Sequence, residues 1–252
     1  MPRISFFLLV YFFSASVYAQ NNAIGFGEKL TYTASYNMSG ILTDLAQITM
    51  ETSPVKTSKA TLLRLKCTAT TYSKWDNFFK IRDLYESYVN PKTLTPYLYN
   101  RDINEGGYFK NMKYTFSHKN KMVKSVLKKK NNYVEKKDVS IHSGTKDIVS
   151  TIYNIRLFDY ENMTNGSKKT FTILFDREEA KGQLTYLGKE TLSTAIGKRE
   201  CYKLEVGSNT SKTIKGTLWL TSDENKIPVY GIFKIPVGNG ELKIKSASGL
   251  KH

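Results

Sequence analysis

The sequence predicts an all-β protein: an antiparallel β-barrel or half-barrel, built as two matched meander halves, with one amphipathic helix across an opening. Three observations carry this. Most of the chain alternates apolar and polar residues with the period of a half-buried strand. Clusters of Gly, Pro, Asn and Asp interrupt that alternation at short intervals, so successive strands should pair antiparallel. A single stretch, Asp147–Leu157 (DIVSTIYNIRL), has helical spacing instead, with Ile148, Val149, Ile152, Tyr153 and Ile155 forming an apolar stripe. Thr145 or Asp147 is placed to cap its first turn, where backbone N–H groups lack partners. So short a helix is marginal in water and must dock, here on the sheet formed by the segments on either side. Ile148, Ile152 and Ile155 are predicted to face inward and Thr151 outward.

In chain order, residues 1–19 read as a secretory signal: Arg3, a short apolar run from Ile4 to Phe13, and Val17-Tyr18-Ala19 before a mature start at Gln20. The apolar run is short for a membrane span, and no later run approaches that length. The single mature domain, residues 20–252, opens with a strand at Glu28–Asn37, followed by a turn at Ser39-Gly40. Strands at Leu42–Thr52 and Leu62–Thr71 follow, the first predicted to stop at Pro54. Ser73–Lys80 is either a helical turn or a bulged strand, and its Trp75, Phe78 and Phe79 are read as core residues. Leu84–Val89 and Pro96–Ile103 flank a turn at Asn90–Thr93. Glu105-Gly106-Gly107 reverses the chain into Tyr108–Ser117, then Lys121–Lys128 and Tyr133–Ser140. Beyond the helix come Lys168–Phe175, Gln183–Leu192, Glu200–Val206 and Thr213–Thr221. A last hairpin, Ile227–Pro236 and Glu241–Ala247, is predicted to turn at Gly238-Asn239-Gly240. Tyr88–Pro96 (YVNPKTLTP) and Leu220–Pro228 (LTSDENKIP) echo one another: strand, polar turn, Pro. Two matched halves explain the echo, and so does reuse of turn chemistry.

The formal charge is +16, or +15 once Arg3 leaves with the signal. Lys110–Lys137 carries ten Lys against one Glu. Such a run fits an anionic partner, such as lipid headgroups, lipopolysaccharide or acidic glycan; it also fits a solvated hairpin whose lysines discourage edge pairing. The second reading is adopted, and the region is predicted to lie outside the core. Nucleic acid is a poor partner, since no recognition motif is present. Cys67 and Cys201 each sit in a strand-like run and are read as two separate buried thiols rather than a disulfide. With three His they make no zinc pattern.

Taken in order, GEKLTYTASYN (Gly27–Asn37), RDLYESYVNPKTLTP (Arg82–Pro96), NEGGY (Asn104–Tyr108), DIVSTIYNIR (Asp147–Arg156), GKRECYKLEV (Gly197–Val206) and GTLWLTSDENKIPV (Gly216–Val229) resemble the bacterial family called domain of unknown function 3108. The resemblance implies an exported protein and offers no catalytic residues to carry over. More distantly the pattern is similar to periplasmic lipoprotein carriers of the LolA and LolB type, which implies an open antiparallel barrel with helices over an apolar cavity.

No nucleophile elbow, zinc-protease helix or phosphate-binding Gly loop is present. His118, His142 and His252 are read as exposed or incidental. Asp176, Glu178 and Glu179 (FDREEAKG) suggest paired acids as in glycosidases, but are read as a solvated turn beside Arg177 and Lys181. No catalytic, cofactor-binding or metal residue is assigned, no cofactor is expected, and ligand-binding residues are not legible. The expected function is that of a periplasmic, non-enzymatic protein, not lipid-anchored because no Cys lies near the cleavage site, which binds an apolar or amphiphilic envelope molecule. The alternatives are an envelope assembly or interaction protein without a small ligand, whose partner would be an envelope protein, and a carbohydrate-binding or carbohydrate-active protein using surface Tyr and Trp. An apolar cavity with room for an acyl chain favours the first; a filled barrel with an exposed apolar patch favours the second.

Overall fold

The structure, a computed structural model, describes residues 20–38, 41–130, 133–208, 215–235 and 238–252. The signal assigned to residues 1–19, the turn at Ser39-Gly40 and the tip at 209–214 lie outside them. Fourteen strands form one antiparallel sheet: β1 (Lys29–Met38), β2 (Ile41–Lys56), β3 (Thr61–Thr71), β4 (Arg82–Val89), β5 (Pro96–Glu105), β6 (Tyr108–Ser117), β7 (Met122–Lys129), β8 (Val134–Ser140), β9 (Lys168–Phe175), β10 (Glu178–Thr194), β11 (Gly197–Ser208), β12 (Lys215–Thr221), β13 (Pro228–Ile235) and β14 (Gly238–Ser248). Their spatial order is 8-7-6-5-4-3-2-1-14-13-12-11-10-9. Two meanders, β1–β8 and β9–β14, therefore meet where β1 pairs β14, and the sheet stays open between β8 and β9. The helix α1 (Ile148–Asn154), continued by a 3-10 turn at Ile155–Leu157, lies in the chain between these two edges.

The halves correspond strand for strand from β1–β6 to β9–β14. The second strand of each is the longest, 16 residues in β2 and 17 in β10. The sequence echo falls on equivalent turns. Leu94 and Lys226, each two residues before the Pro that opens β5 or β13, both take the left-handed conformation (φ 51° and 46°). Asn90 and Asp223 serve these turns alike, each side chain accepting two backbone N–H groups.

Several expectations are corrected. Pro54 does not stop β2, which runs on to Lys56. It lies beyond Glu51, the last residue of β2 in register with β1, so its missing N–H falls where one side of the strand is open. Gly238–Gly240, predicted as the tip of the last hairpin, belong to β14, with Gly238 paired to Ile235. Phe78 and Phe79 are not core: they are 81% and 53% exposed. The Lys-rich region is not outside the core. In β6 and β7, Met112, Tyr114, Phe116, Val123 and Leu127 are buried, while Lys113, Lys124 and Lys128 point outward. Strand alternation places a lysine and a core residue next to each other in sequence but on opposite faces.

Candidate functional site

The helix is the starting point. Asp147 caps it: its Oδ1 accepts from the Ser150 N–H (2.8 Å), and its Oδ2 accepts from the Ser87 hydroxyl on β4 (2.7 Å). The carboxyl is fully buried, and burial raises its pKa against the pull of these donors. Val149 and Tyr153, at 2% and 0% exposure, belong to the main core, whereas Ile148 and Ile152 are only partly buried. Thr151, expected to face outward, is 4% exposed and donates its hydroxyl to the Asp147 carbonyl (2.7 Å). The helix is enclosed on nearly every side, so no polar face is left to solvent.

One turn on, Arg156 is buried at 1% exposure, and sequence reasoning missed its role. Its guanidinium grips both carboxylate oxygens of buried Glu28, each at 2.7 Å, in a two-pronged pair. Its Nε and Nη2 also donate to the carbonyls of Asn225 (3.0 Å) and Ala23 (3.3 Å). One side chain thereby ties the helix to the segment before β1 and to the β12–β13 turn. The signal was present: Glu28 and Arg156 lie in two of the stretches that carried the family resemblance.

Beneath the helix lies a cavity of about 330 Å³, walled almost entirely by apolar atoms. Tyr32, Ile48, Met50 and Cys67 line it from the first half of the sheet. Ile148, Ile152 and Ile155 close it from the helix, and Phe171, Ile173, Leu184, Val206, Leu218, Phe233 and Leu242 from the second half. Two glycines shape the wall. At Gly182 an added Cβ would stand 2.2 Å from the Phe171 ring, and at Gly231 2.8 Å from the Phe233 ring. Each absence of a side chain lets an aromatic ring lie across the strand. Cys67 and Cys201 are free, and burial pushes their thiols up to about 12 and about 11.

The acids read as a solvated turn do something else. Asp176 and Arg177 form the β9–β10 tip with φ of 47° and 71°, the backbone of a tight hairpin that rarely carries side chains of this size. The tip crosses to the other half. Asp176 pairs with Arg101 on β5 and Lys110 on β6 (2.7 Å to the latter). Arg177 pairs with Glu135 on β8 and donates from Nε to Ser125 Oγ on β7 (2.8 Å), and its N–H meets the Tyr114 hydroxyl at 2.9 Å. Glu179 accepts from the His142 and Thr145 segment that follows β8. The open seam is thus bridged by side chains, and by Lys146, whose backbone pairs in parallel with Ile173 on β9. Each of Asp176 and Glu179 is engaged by the opposite half, so they do not stand as a free acid pair.

The histidines sit in structural contexts. His118 bonds the Pro96 carbonyl and stacks on Phe116; His142 meets Glu179; His252 meets Glu224 and Asn225. Among the described residues no three His, Cys, Asp or Glu side chains gather as a metal site, and no helix is long and apolar enough to cross a membrane.

A second feature is positional. In this topology the C-terminal ends of odd strands and the N-terminal ends of even strands lie at one end of the sheet, a rim. Of twelve large apolar side chains exposed among the described residues, nine are there: Ile41, Leu42, Phe78, Phe79, Tyr108, Phe109, Tyr133, Val134 and Phe175.

An open, barrel-like antiparallel sheet with an apolar cavity under one helix defines the class of protein. The chain matches the family described as protein of unknown function (DUF3108) over residues 31–245 and belongs to it. Among solved structures it is similar to a β-barrel-like protein of domain of unknown function DUF1849 from Brucella abortus. That likeness has a TM-score of 0.61 and 8% identity, and covers 88% of this chain and 97% of the other. It is also similar to a protein described as a "putative lipoprotein" from Parabacteroides distasonis, with a TM-score of 0.35 and 12% identity over 89% of this chain and 96% of the other. No curated protein matches the chain.

Proposed function

We propose that this is an exported, periplasmic, non-enzymatic protein that holds the acyl chain or other apolar part of an envelope amphiphile in the cavity beneath α1. The observation that supports this reading is the cavity itself. Its volume of about 330 Å³ falls at the lower end of the ~300–1,000 Å³ of small-molecule sites. Its apolar wall rewards burial of methylenes at about 0.8 kcal/mol each. A cavity so lined excludes ordered water, which needs polar partners. The helix supplies one wall, so loading need only shift Ile148 and Ile152, which are incompletely packed, while Arg156 and Asp147 keep its ends anchored.

Native mass spectrometry of the protein purified from the periplasm tests this. One co-purifying amphiphile is expected, and it should be missing from Ala180→Phe, which places a ring in the cavity from β10. A bare chain mass in the unsubstituted protein, together with no uptake of an added fatty acid, would sink the reading.

A further inference from the structure

We infer that the rim formed by the odd-to-even strand ends is a docking face for an anionic lipid surface. The exposed apolar side chains are concentrated there, with Phe78 81%, Ile41 71% and Tyr108 55% exposed. Isolated surface apolars are ordinary, but nine gathered at one end of a sheet mark an interaction surface. The chemistry points to lipid rather than to protein. Aromatics are interleaved with cations: Lys74 lies 5.5 Å from the centre of the Trp75 ring and Lys129 5.6 Å from that of Tyr133. Lys128, Lys129 and Lys130 end β7 at this rim and are all exposed, and none of the three is in an ion pair among the described residues. Three of the rim's acids are neutralised in ion pairs: Asp76 by Arg82, Glu135 by Arg177, Asp176 by Arg101 and Lys110. Asp44, which accepts from Ser35, and Glu178 are exposed anions there, while Asp83, Asp102 and Glu105 lie buried or half-buried without an ion pair among the described residues. Aromatic rings that sit at headgroup depth, with lysines reaching anionic phosphates, are what a membrane interface selects.

The rim is also built to be presented. The connection from β3 to β4 is clamped to the β5–β6 tip, where Gly106 N–H donates to the Lys80 carbonyl (2.9 Å), and to β2, where Trp75 Nε1 donates to the Asp44 carbonyl (2.8 Å). At Gly106, φ +53°, an added Cβ would meet the Phe79 ring at 2.9 Å, so the glycine seats that ring on the tip. The cavity reaches toward the same end, bounded there by Lys181, Gly182, Gly207 and Ser208. On the ligand reading proposed above, an amphiphile would pass between bilayer and cavity along the rim without crossing water.

The test uses vesicles of phosphatidylglycerol with phosphatidylcholine, and of phosphatidylcholine alone. The chain has two Trp, so Trp219→Phe leaves Trp75 as the reporter at the rim. Anionic vesicles should bind the protein and shift Trp75 emission to the blue, and salt should weaken the binding. Lys128→Gln/Lys129→Gln/Lys130→Gln should weaken it by roughly 100-fold at low salt. Phe78→Ser/Phe79→Ser should abolish the blue shift with the thermal transition unchanged. No binding to anionic vesicles, or binding indifferent to both sets of substitutions, overturns the inference. So does a dimer in sedimentation that the Phe78/Phe79 variant dissolves, since a second copy would then cover the rim. Ala180→Phe separates the two proposals: it should exclude the amphiphile from the cavity and leave vesicle binding intact.

Discussion

At the scale of single residues, the Glu28–Arg156 pair is the most consequential contact, because both partners are fully buried and each of the three guanidinium nitrogens of Arg156 has an acceptor. Desolvating two charges is expensive, and the bonds offset that cost only while both partners remain. Glu28→Gln should therefore cost about 3–5 kcal/mol in urea unfolding, as an uncompensated guanidinium is left inside. Glu28→Gln with Arg156→Met should recover most of that loss. A double variant no better than the single one would show that the Asn225 and Ala23 bonds, rather than the ion pair, carry the effect. Lys146 offers a pH test. Burial pushes its ammonium down to about 8, against the pull of Asp147, while its Nζ donates to the Leu94 carbonyl at 3.1 Å. A free lysine titrates near 10.4, so between about 8 and 10.4 the unfolded chain binds more protons, and stability rises with pH across that window. The denaturant midpoint of the unsubstituted protein should climb relative to Lys146→Met from pH 8 to pH 10; parallel profiles would refute the assignment.

At the scale of elements, the helix divides its work between two faces. Tyr153 enters the close-packed core, whereas Ile152 lines the cavity. Tyr153→Ala should cost about 3–5 kcal/mol, the usual loss for a buried aromatic, whereas Ile152→Ala should cost below about 2 kcal/mol, because fewer contacts vanish. Equal costs in chemical denaturation would mean that the cavity is occupied by protein atoms in solution. The lysine-bearing strands make a similar contrast. Lys128→Gln, Lys129→Gln and Lys130→Gln together should change stability by only about 0.5 kcal/mol, the surface scale. Leu127→Ala, one residue away and buried, should cost about 2–5 kcal/mol. Calorimetry of the two variants checks whether alternation alone separates them.

At the scale of the whole molecule, the sheet is a single ribbon whose two edges are bridged by the β9–β10 tip, by Glu179 and by the Lys146 backbone. Asp176 and Arg177 make ion pairs across that closure and also carry left-handed backbone strain. Asp176→Asn/Arg177→Gly should leave each meander intact, since none of the ladder pairings includes these residues. Hydrogen exchange should instead accelerate along β8 and β9, the strands at the seam, with β1 and β14 unchanged. Uniform acceleration across the sheet would show that the tip stabilises the fold as a whole and does not act as a latch.

What the sequence by itself determined is local. Alternation located the strands, turn residues located most reversals, and the helical spacing of one apolar stripe located the helix, because each depends on neighbours within a few residues. The β-rich, barrel-like fold and the family follow from the same signals in order. The tertiary structure decided the rest. The helix stripe was legible, but Thr151 is buried because two halves of the sheet enclose the helix, and periodicity reports an apolar face without saying how many faces are covered. Pro54 remains in its strand because the adjacent strand has ended. Phe78 and Phe79 are exposed because a clamped connection holds them outward, against their usual burial. Asp176 and Arg177 resemble any solvated turn until the chain brings β5–β8 across the seam from them, tens of residues away. The cavity is set by the same closure, since its walls come from strands and a helix that meet only when the two meanders face each other.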